Sequence, residues 1–459
     1  MSHARTISLP QCDHTPRAYD GPSRDEVLAL RQQYVNPGVL TYYREPLMLV
    51  EGNMQYLWDE TGKRYLDAFA GIVTVSVGHC HPHVAEAVKK QAGELQHATT
   101  IYLHPTLPRF AEKLASKMPT NPHGVPLDKT YFTNSGSEAN ELAVLMAREF
   151  TGRHDVIALR NAYHGGTPNT MGMTAHGTWR FPTNQVAGIH HTQAGYCYRC
   201  PFGLKYPSCG LKCAHDVENV IAYQTSGEVA CFIGEPIQGV GGAVVPPKEF
   251  FQVVYDIVRK HGGLCIADEV QGGFGRTGEN YWAHQYFDVK PDFVAMAKGI
   301  GNGAPLAAVT TTTDIAQTMT RRIHFNTYGG NPVSMASGLA TLEVIDAEDI
   351  QTNAKQIGGY LKEGLLELQD KHELIGDVRG LGLMLGVELV TDRKAKTPAS
   401  AEAADLMELS RERGLILGKG GLYGNTMRIK PPMCLTRDDA GFLLAVLDEC
   451  LTEIEEKRS

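Results

Sequence analysis

Three short apolar runs, each ending in a cluster of polar residues, constrain this chain more than any other feature. Val156-Ile157-Ala158-Leu159 leads into Asn161-Ala162-Tyr163-His164-Gly165-Gly166, Val229 to Ile233 leads into Glu235-Pro236, and Leu264-Cys265-Ile266-Ala267 leads into Asp268-Glu269. Short runs of this kind, alternating with helix-period segments, fit a parallel sheet covered on both faces. Between the second and third runs, Phe250, Phe251, Val254, Ile257 and Val258 recur at helical spacing, and Gly262-Gly263 stops the helix. This gives one complete βαβ unit. Ligands of open α/β sheets bind beyond the carboxyl ends of the strands, so the three polar tails are expected to meet in one crevice.

At 459 residues and 42% hydrophobic composition, the chain is too long for one simple core and too apolar to be disordered. We expect a large domain over 86–340, carrying a cysteine-containing insertion near 195–215, and a smaller C-terminal domain over 341–459. In the latter, charged helical stretches flank Val378 to Met384, and Leu443, Leu447, Leu451 and Ile454 share one helix face. Residues 45–75 alternate like strands, with turns at Gly52, Asp59 and Gly62, so segment 1–85 is expected to join the small domain. A net charge of −8 and a pI near 6.1 leave no basic footprint for nucleic acid or an anionic membrane. Met1 to Asp20 has no apolar core, so it does not read as a secretory signal. Ten scattered cysteines do not form a secreted disulfide framework, and a reducing cytoplasm is the expected compartment.

Lys298 lies among Ala295, Met296, Ala297, Gly299 and Ile300, where an ammonium has few polar neighbours. Burial there would lower its pKa and make it a nucleophile able to form a Schiff base. Asp268, at a strand end, can hold a ring nitrogen protonated or simply cap the next turn. Ser135-Gly136-Ser137-Glu138 opens a helix with apolar residues Leu142, Leu145, Met146 and Phe150; Ser135 and Glu138 have capping-box spacing. Its free N–H groups suit a phosphate, although taken alone the segment reads as an ordinary capped helix. Arg428 can grip a carboxylate with its planar fork, or form a surface ion pair.

Two further motifs compete. Gly273-Phe274-Gly275-Arg276-Thr277-Gly278 matches the dinucleotide fingerprint, with Asp292 near the expected spacing, but no amphipathic helix follows it. A glycine-rich active-site loop explains it better than an NAD-dependent oxidoreductase. Cys197, Cys200, Cys209 and Cys213, with His190, His191 and His215 nearby, resemble a zinc ligand set. The loose second pair and the prolines Pro201 and Pro207 favour a reduced, metal-free surface insertion instead.

Asn-Ser-Gly-Ser-Glu-Ala-Asn (134–140), Tyr-His-Gly-Gly (163–166), Glu-Pro-Ile-Gln-Gly (235–239), Ala-Asp-Glu-Val-Gln (267–271), Ala-Lys-Gly-Ile-Gly-Asn-Gly (297–303) and Thr-Tyr-Gly-Gly-Asn-Pro (327–332) occur in that order. Together they resemble the class-III pyridoxal-phosphate (PLP) aminotransferases over roughly residues 40–450. Within that class, the segments around Asn161, Glu235, Lys298 and His324 to Thr327 look most like the alanine-glyoxylate aminotransferase 2 branch. The resemblance implies a fold-type-I α/β enzyme that works as a homodimer or higher homo-oligomer with shared active sites.

By that resemblance Lys298 holds the cofactor aldehyde and shuttles the substrate proton, and Asp268 pairs with the pyridine nitrogen. Gly136 and Ser137, at the helix end with Ser135, bind the phosphate, and Thr327 does so from the other subunit. Tyr163 stacks on the ring, Gln271 approaches its 3-hydroxyl, and Glu235 supports the pocket wall. His164 and Val270 complete the cofactor-binding set, and Arg428 binds the substrate carboxylate. Alanine is the natural donor, and glyoxylate or pyruvate the acceptor or product.

Two positions depart from related enzymes such as ornithine aminotransferase: Val240 stands where they carry an acid that shields the arginine, and Gly166 where they carry an arginine. An unshielded Arg428 without a second anionic anchor should favour small monocarboxylates. Other class-III activities, an ω-amino acid or GABA-type transaminase or a phospho-lyase, share the same cofactor site.

Overall fold

The computed structural model describes residues 7–183 and 186–458; the first six residues of segment 1–85 lie outside the described residues. The centre is a seven-stranded sheet in the order Lys129–Thr133, Ala307–Thr311, Phe293–Met296, Leu264–Asp268, Cys231–Gly234, Val156–Leu159, Ile189–Thr192. All neighbours pair parallel except Ala307–Thr311, which runs antiparallel to both strands beside it. The inner strands Val156–Leu159, Cys231–Gly234 and Phe293–Met296 are buried at every position, as expected where helices cover both faces. The second predicted run sits slightly later than expected, with the strand beginning at Cys231 rather than Val229.

Alternation along the strands sorts their side chains between two layers. Ile157, Leu159 and Phe232 pack with the helices Lys212–Gln224 and Phe250–Lys260. Val156, Ala158, Ile233 and Ile266 pack on the other side with the helix Gly136–Thr151. That helix buries Ala139, Leu142, Ala143, Val144, Met146 and Ala147, so of the apolar residues read from the sequence Leu142 and Met146 face the sheet. Leu145 and Phe150 are exposed, because small alanines let the helix lie close to the sheet and turn those two outward.

A second, antiparallel sheet is built from Ile375–Leu381, Met384–Asp392, Thr426–Ile429 and Gly418–Gly420. It is accompanied by the helices Ile350–Lys371, Ser400–Glu412 and Arg437–Arg458. Leu443, Leu447, Leu451 and Ile454 of the last helix are all buried. Near the N-terminus, Leu49–Asn53, Tyr56–Asp59 and Arg64–Asp67 form an antiparallel meander whose last strand pairs parallel with Leu415–Ile416. Gln55 and Tyr56 also hydrogen-bond the buried carboxylate of Asp439. The helix Pro332–Ala347 runs through the expected boundary near 340. No helix among the described residues is long and apolar enough to cross a membrane.

Candidate active site

The ends of the parallel strands and the start of the helix Gly136–Thr151 enclose a cavity of about 130 Å³. Gly136, Ser137, Tyr163, His164, Glu235, Asp268, Val270, Gln271 and Lys298 line it, together with Asn140 and Gly165. The structure therefore brings nine of the twelve residues singled out from the sequence to one place, from four separate strand tails and one helix.

The helix end is shaped to admit a ligand. Ser135 caps it by accepting the Glu138 N–H at 3.2 Å, and its own hydroxyl donates back to the Glu138 carboxylate. Ser135 is thus occupied with the cap and does not line the cavity. Ser137 does line it, and its hydroxyl accepts the Gly166 N–H at 3.1 Å. Gly165 must be glycine here: its φ is +139°, and a Cβ would lie 2.3 Å from the Ser137 hydroxyl oxygen.

Asp268 is buried and held in one orientation. Its Oδ2 accepts from Asn140 Nδ2 at 2.8 Å and lies 2.7 Å from His164 Nδ1, while Oδ1 accepts the Val270 N–H at 3.1 Å. Asn140 also donates to the His164 carbonyl at 2.9 Å, which ties the helix to the strand tail. Glu235 accepts the Tyr163 and Gly239 N–H groups at 2.9 and 2.8 Å. Burial and the neighbouring Asp268 hold the Glu235 carboxyl above its usual range. Tyr163 packs edge-on to Trp179 with ring centroids 5.2 Å apart.

Lys298 follows the strand Phe293–Met296 and reaches the same cavity. Its φ of +49° is rare for a residue with a side chain, a strain that persists only where the surroundings dictate it. Burial pushes its ammonium below the ordinary lysine value, against the pull of Asp268 and Glu235 and with the help of Arg428. A larger neutral fraction makes the amine a better nucleophile and base.

Arg428 is 95% buried on the strand Thr426–Ile429, with its guanidinium 5.0 Å from the centre of the Phe69 ring. Its Nε and Nη1 have no hydrogen-bond partner, and among the described residues it forms no ion pair. The Val240 carbonyl accepts the Gly421 N–H at 2.9 Å beside it, so a valine, not an acid, occupies this wall. Thr327 is exposed and does not line this chain's cavity.

The competing motifs are resolved differently. The glycine loop at 273–278 opens no helix: Phe274 and Arg276 are buried, and Arg276 donates to the Leu383 and Pro431 carbonyls at 3.1 and 2.8 Å. Asp292 precedes its strand and accepts the Cys265 N–H at 2.9 Å, at the opposite end of the sheet from the crevice. Cys197 is exposed and Cys200, Cys209 and Cys213 are partly buried, all as free thiols. Among the described residues no group of three or more His, Cys, Asp or Glu is placed to hold a metal ion.

Asn140 and Gly165, which line the cavity, and Lys430, which bonds Gln271 in its wall, are the site residues the sequence reading missed. Asn140 lies four positions after Gly136, on the turn of the helix that faces the strand tails, and that spacing is its signal. Lys430 lies two positions after Arg428, just beyond the end of the strand Thr426–Ile429, and that spacing is its signal.

A phosphate-ready helix end, a fixed carboxylate and an amine of lowered pKa around one small polar cavity define a fold-type-I PLP-dependent enzyme. Residues 41–451 match the family described as Aminotransferase class-III, and the chain belongs to that family. It is 51% identical to the mitochondrial alanine-glyoxylate aminotransferase 2 homolog 2 of Arabidopsis thaliana, over 97% of this chain and 91% of the relative. It is 41% identical to the mitochondrial alanine-glyoxylate aminotransferase 2 of Homo sapiens, over 98% and 91%. A phospholyase from Arthrobacter in complex with phosphoethanolamine has a similar structure, with a TM-score of 0.85 at 34% identity, covering 93% of this chain and 99% of that one. So does a PLP-bound amine transaminase from an uncultivated Pseudomonas species, with a TM-score of 0.84 at 30% identity, covering 92% and 98%. The chain is a transaminase whose cofactor is PLP and whose substrates are an amino acid and an oxo acid. The cytoplasmic location expected from the cysteines is overturned by these relatives, whose names place them in mitochondria; cysteine usage reports redox state and does not distinguish the two compartments.

Proposed function

We propose that this enzyme moves the amino group of alanine to a small monocarboxylate oxo acid, glyoxylate foremost, with pyruvate as the product of the donor half. The observation that carries this is Arg428, a buried guanidinium with two unpaired nitrogens beside Val240. One carboxylate satisfies it, and position 166, where related enzymes carry an arginine, is glycine. The names of the Arabidopsis and human relatives support the same pair.

In this reading Gly136 and Ser137 hold the cofactor phosphate, Tyr163 and Val270 flank its ring, and Asp268, fixed by His164 and Asn140, faces the ring nitrogen. Glu235 and Gln271 form the remaining wall, and Ser135 acts by capping the helix. PLP, when bound, supplies an aldehyde for the amine and a ring that accepts the electron pair left at the substrate α-carbon. Lys298 Nζ is the base that takes the α-proton and the acid that returns it. Asp268, oriented by Asn140, His164 and the Val270 N–H, would offer its negative charge to a protonated ring nitrogen.

We further propose a small domain formed by segments 1–85 and 341–459 around the larger 86–340 unit, and a homodimer in which Thr327 serves the partner's site. Exposed Tyr102, Leu103, Ile323 and Phe325 support such an interface, since large apolar side chains clustered in neighbouring loops favour burial against another surface. The Arthrobacter neighbour keeps a phospho-lyase as the second reading. A half-reaction screen tests both. Amino donors are added singly to the holoenzyme and the visible band is followed: alanine should convert it fully, whereas phosphate release from phosphoethanolamine without conversion by alanine would favour the lyase.

A further inference from the structure

Lys430 is fully buried yet forms no ion pair among the described residues. A buried lysine without a carboxylate is uncommon, because desolvating an ammonium is costly unless acceptors replace the water. Two acceptors do so here: Lys430 Nζ donates to Gln271 Oε1 at 3.0 Å and to the Gly239 carbonyl at 3.1 Å. The Gly239 peptide is held from the other side as well, its N–H donated to Glu235 at 2.8 Å. Gly239 also has to lack a side chain, since a Cβ would lie 2.3 Å from Gln271 Cδ. Lys430 therefore joins the antiparallel sheet to two walls of the cavity at one point.

The consequence lies in the polarity of Gln271. A carboxamide offers an acceptor at one end and two donors at the other, and an ammonium can only donate. Lys430 thus fixes which end is which: Oε1 turns toward the lysine, and Nε2 is left for the cavity that Gln271 lines.

We propose that Lys430 is a positioning residue that locks Gln271 with its amide N–H groups toward the cavity, so that the wall recognises an oxygen acceptor, the 3-hydroxyl oxygen of PLP in its anionic form. This rests on the reading of the cavity as the PLP site. Burial beside Arg428, Lys298 and Arg276 pushes the Lys430 ammonium well below the ordinary lysine value, and Lys430 fixes the Gln271 orientation in its protonated form, which can only donate.

The test is a double-mutant cycle on reconstituted enzyme, using Lys430→Met, Gln271→Leu and the double variant. Two quantities are read: the Kd for PLP added to apoenzyme, from quenching of protein fluorescence, and the circular dichroism of the visible band. Each single variant should weaken PLP binding by about tenfold and reduce the visible signal, and the double variant should lose no more than either alone. Losses that multiply to about a hundredfold in the double variant, or a Lys430→Met protein that binds like wild type, would overturn the proposal. Where Lys430→Met does not fold, Lys430→Gln keeps a donor at the position and should bind PLP within about threefold of wild type. A tenfold loss in that variant would equally overturn it. Failure of the cofactor reading looks different: wild-type protein would take up no PLP, or Lys298→Ala would keep an unchanged visible band.

Discussion

His164 Nδ1 and Asp268 Oδ2 lie 2.7 Å apart, both side chains being buried, and Asn140 Nδ2 meets the same oxygen at 2.8 Å. One carboxylate oxygen is thereby saturated by two neighbours from other segments. The residue proposed to face the cofactor ring is thus oriented before any ligand arrives.

Asp268→Asn should lower kcat by about a hundredfold or more, because a neutral amide cannot keep the ring nitrogen protonated. Asn140→Ala, which only loosens the carboxylate, should cost about tenfold. Steady-state rates with alanine and glyoxylate decide the point, and an Asn140→Ala enzyme slower than Asp268→Asn would contradict the ordering.

Lys298→Ala should abolish the visible absorption of the cofactor linkage and reduce kcat by roughly 10²- to 10⁴-fold, the usual span for loss of a general base. NADH should leave the spectrum of either protein unchanged.

Arg428→Lys should raise KM for alanine and lower kcat/KM by about 10- to 100-fold, since a point charge replaces a two-pronged fork. In the wild-type enzyme kcat/KM should be larger with glyoxylate or pyruvate than with 2-oxoglutarate; the reverse order would sink the monocarboxylate reading. Val240→Glu should pair with Arg428 and weaken alanine binding.

A pH effect on stability should trace to His191. Burial lowers its pKa to about 4 from 6.5, and its ring lies 3.3 Å from the Met173 carbonyl. Between those two values the unfolded chain binds a proton that the folded chain does not, so stability falls as pH drops from 6.5 toward 4. His191→Gln should flatten that part of the Tm against pH curve; an unchanged slope would assign the effect elsewhere.

The sheet was legible because its inner strands are buried on both faces and so read as apolar runs, and the polar tails of those runs carry most of the cavity. Lys298 and Asp268 stood out for similar reasons, a charged group where the local sequence is apolar or a strand ends. Asn140 and Lys430 did not, since their importance lies in contacts with residues 128 and 159 positions away in sequence, Asp268 and Gln271. Of the four apolar residues read on the helix Gly136–Thr151, Leu142 and Met146 are buried while Leu145 and Phe150 are exposed, because alanines share the face that packs against the sheet. Nor does any local pattern show whether a cysteine segment folds around a metal.

The parallel pairing of Arg64–Asp67 with Leu415–Ile416 joins positions nearly 350 residues apart. At about 5–20 residues per second, a ribosome needs roughly 20–70 s to make the intervening chain. Throughout that interval the outer edge of the N-terminal meander is a free strand edge, able to pair with any other extended segment. Fidelity during synthesis therefore depends on the large sheet forming in the meantime without recruiting that edge, and a chaperone that shields it would raise yield without altering the finished enzyme.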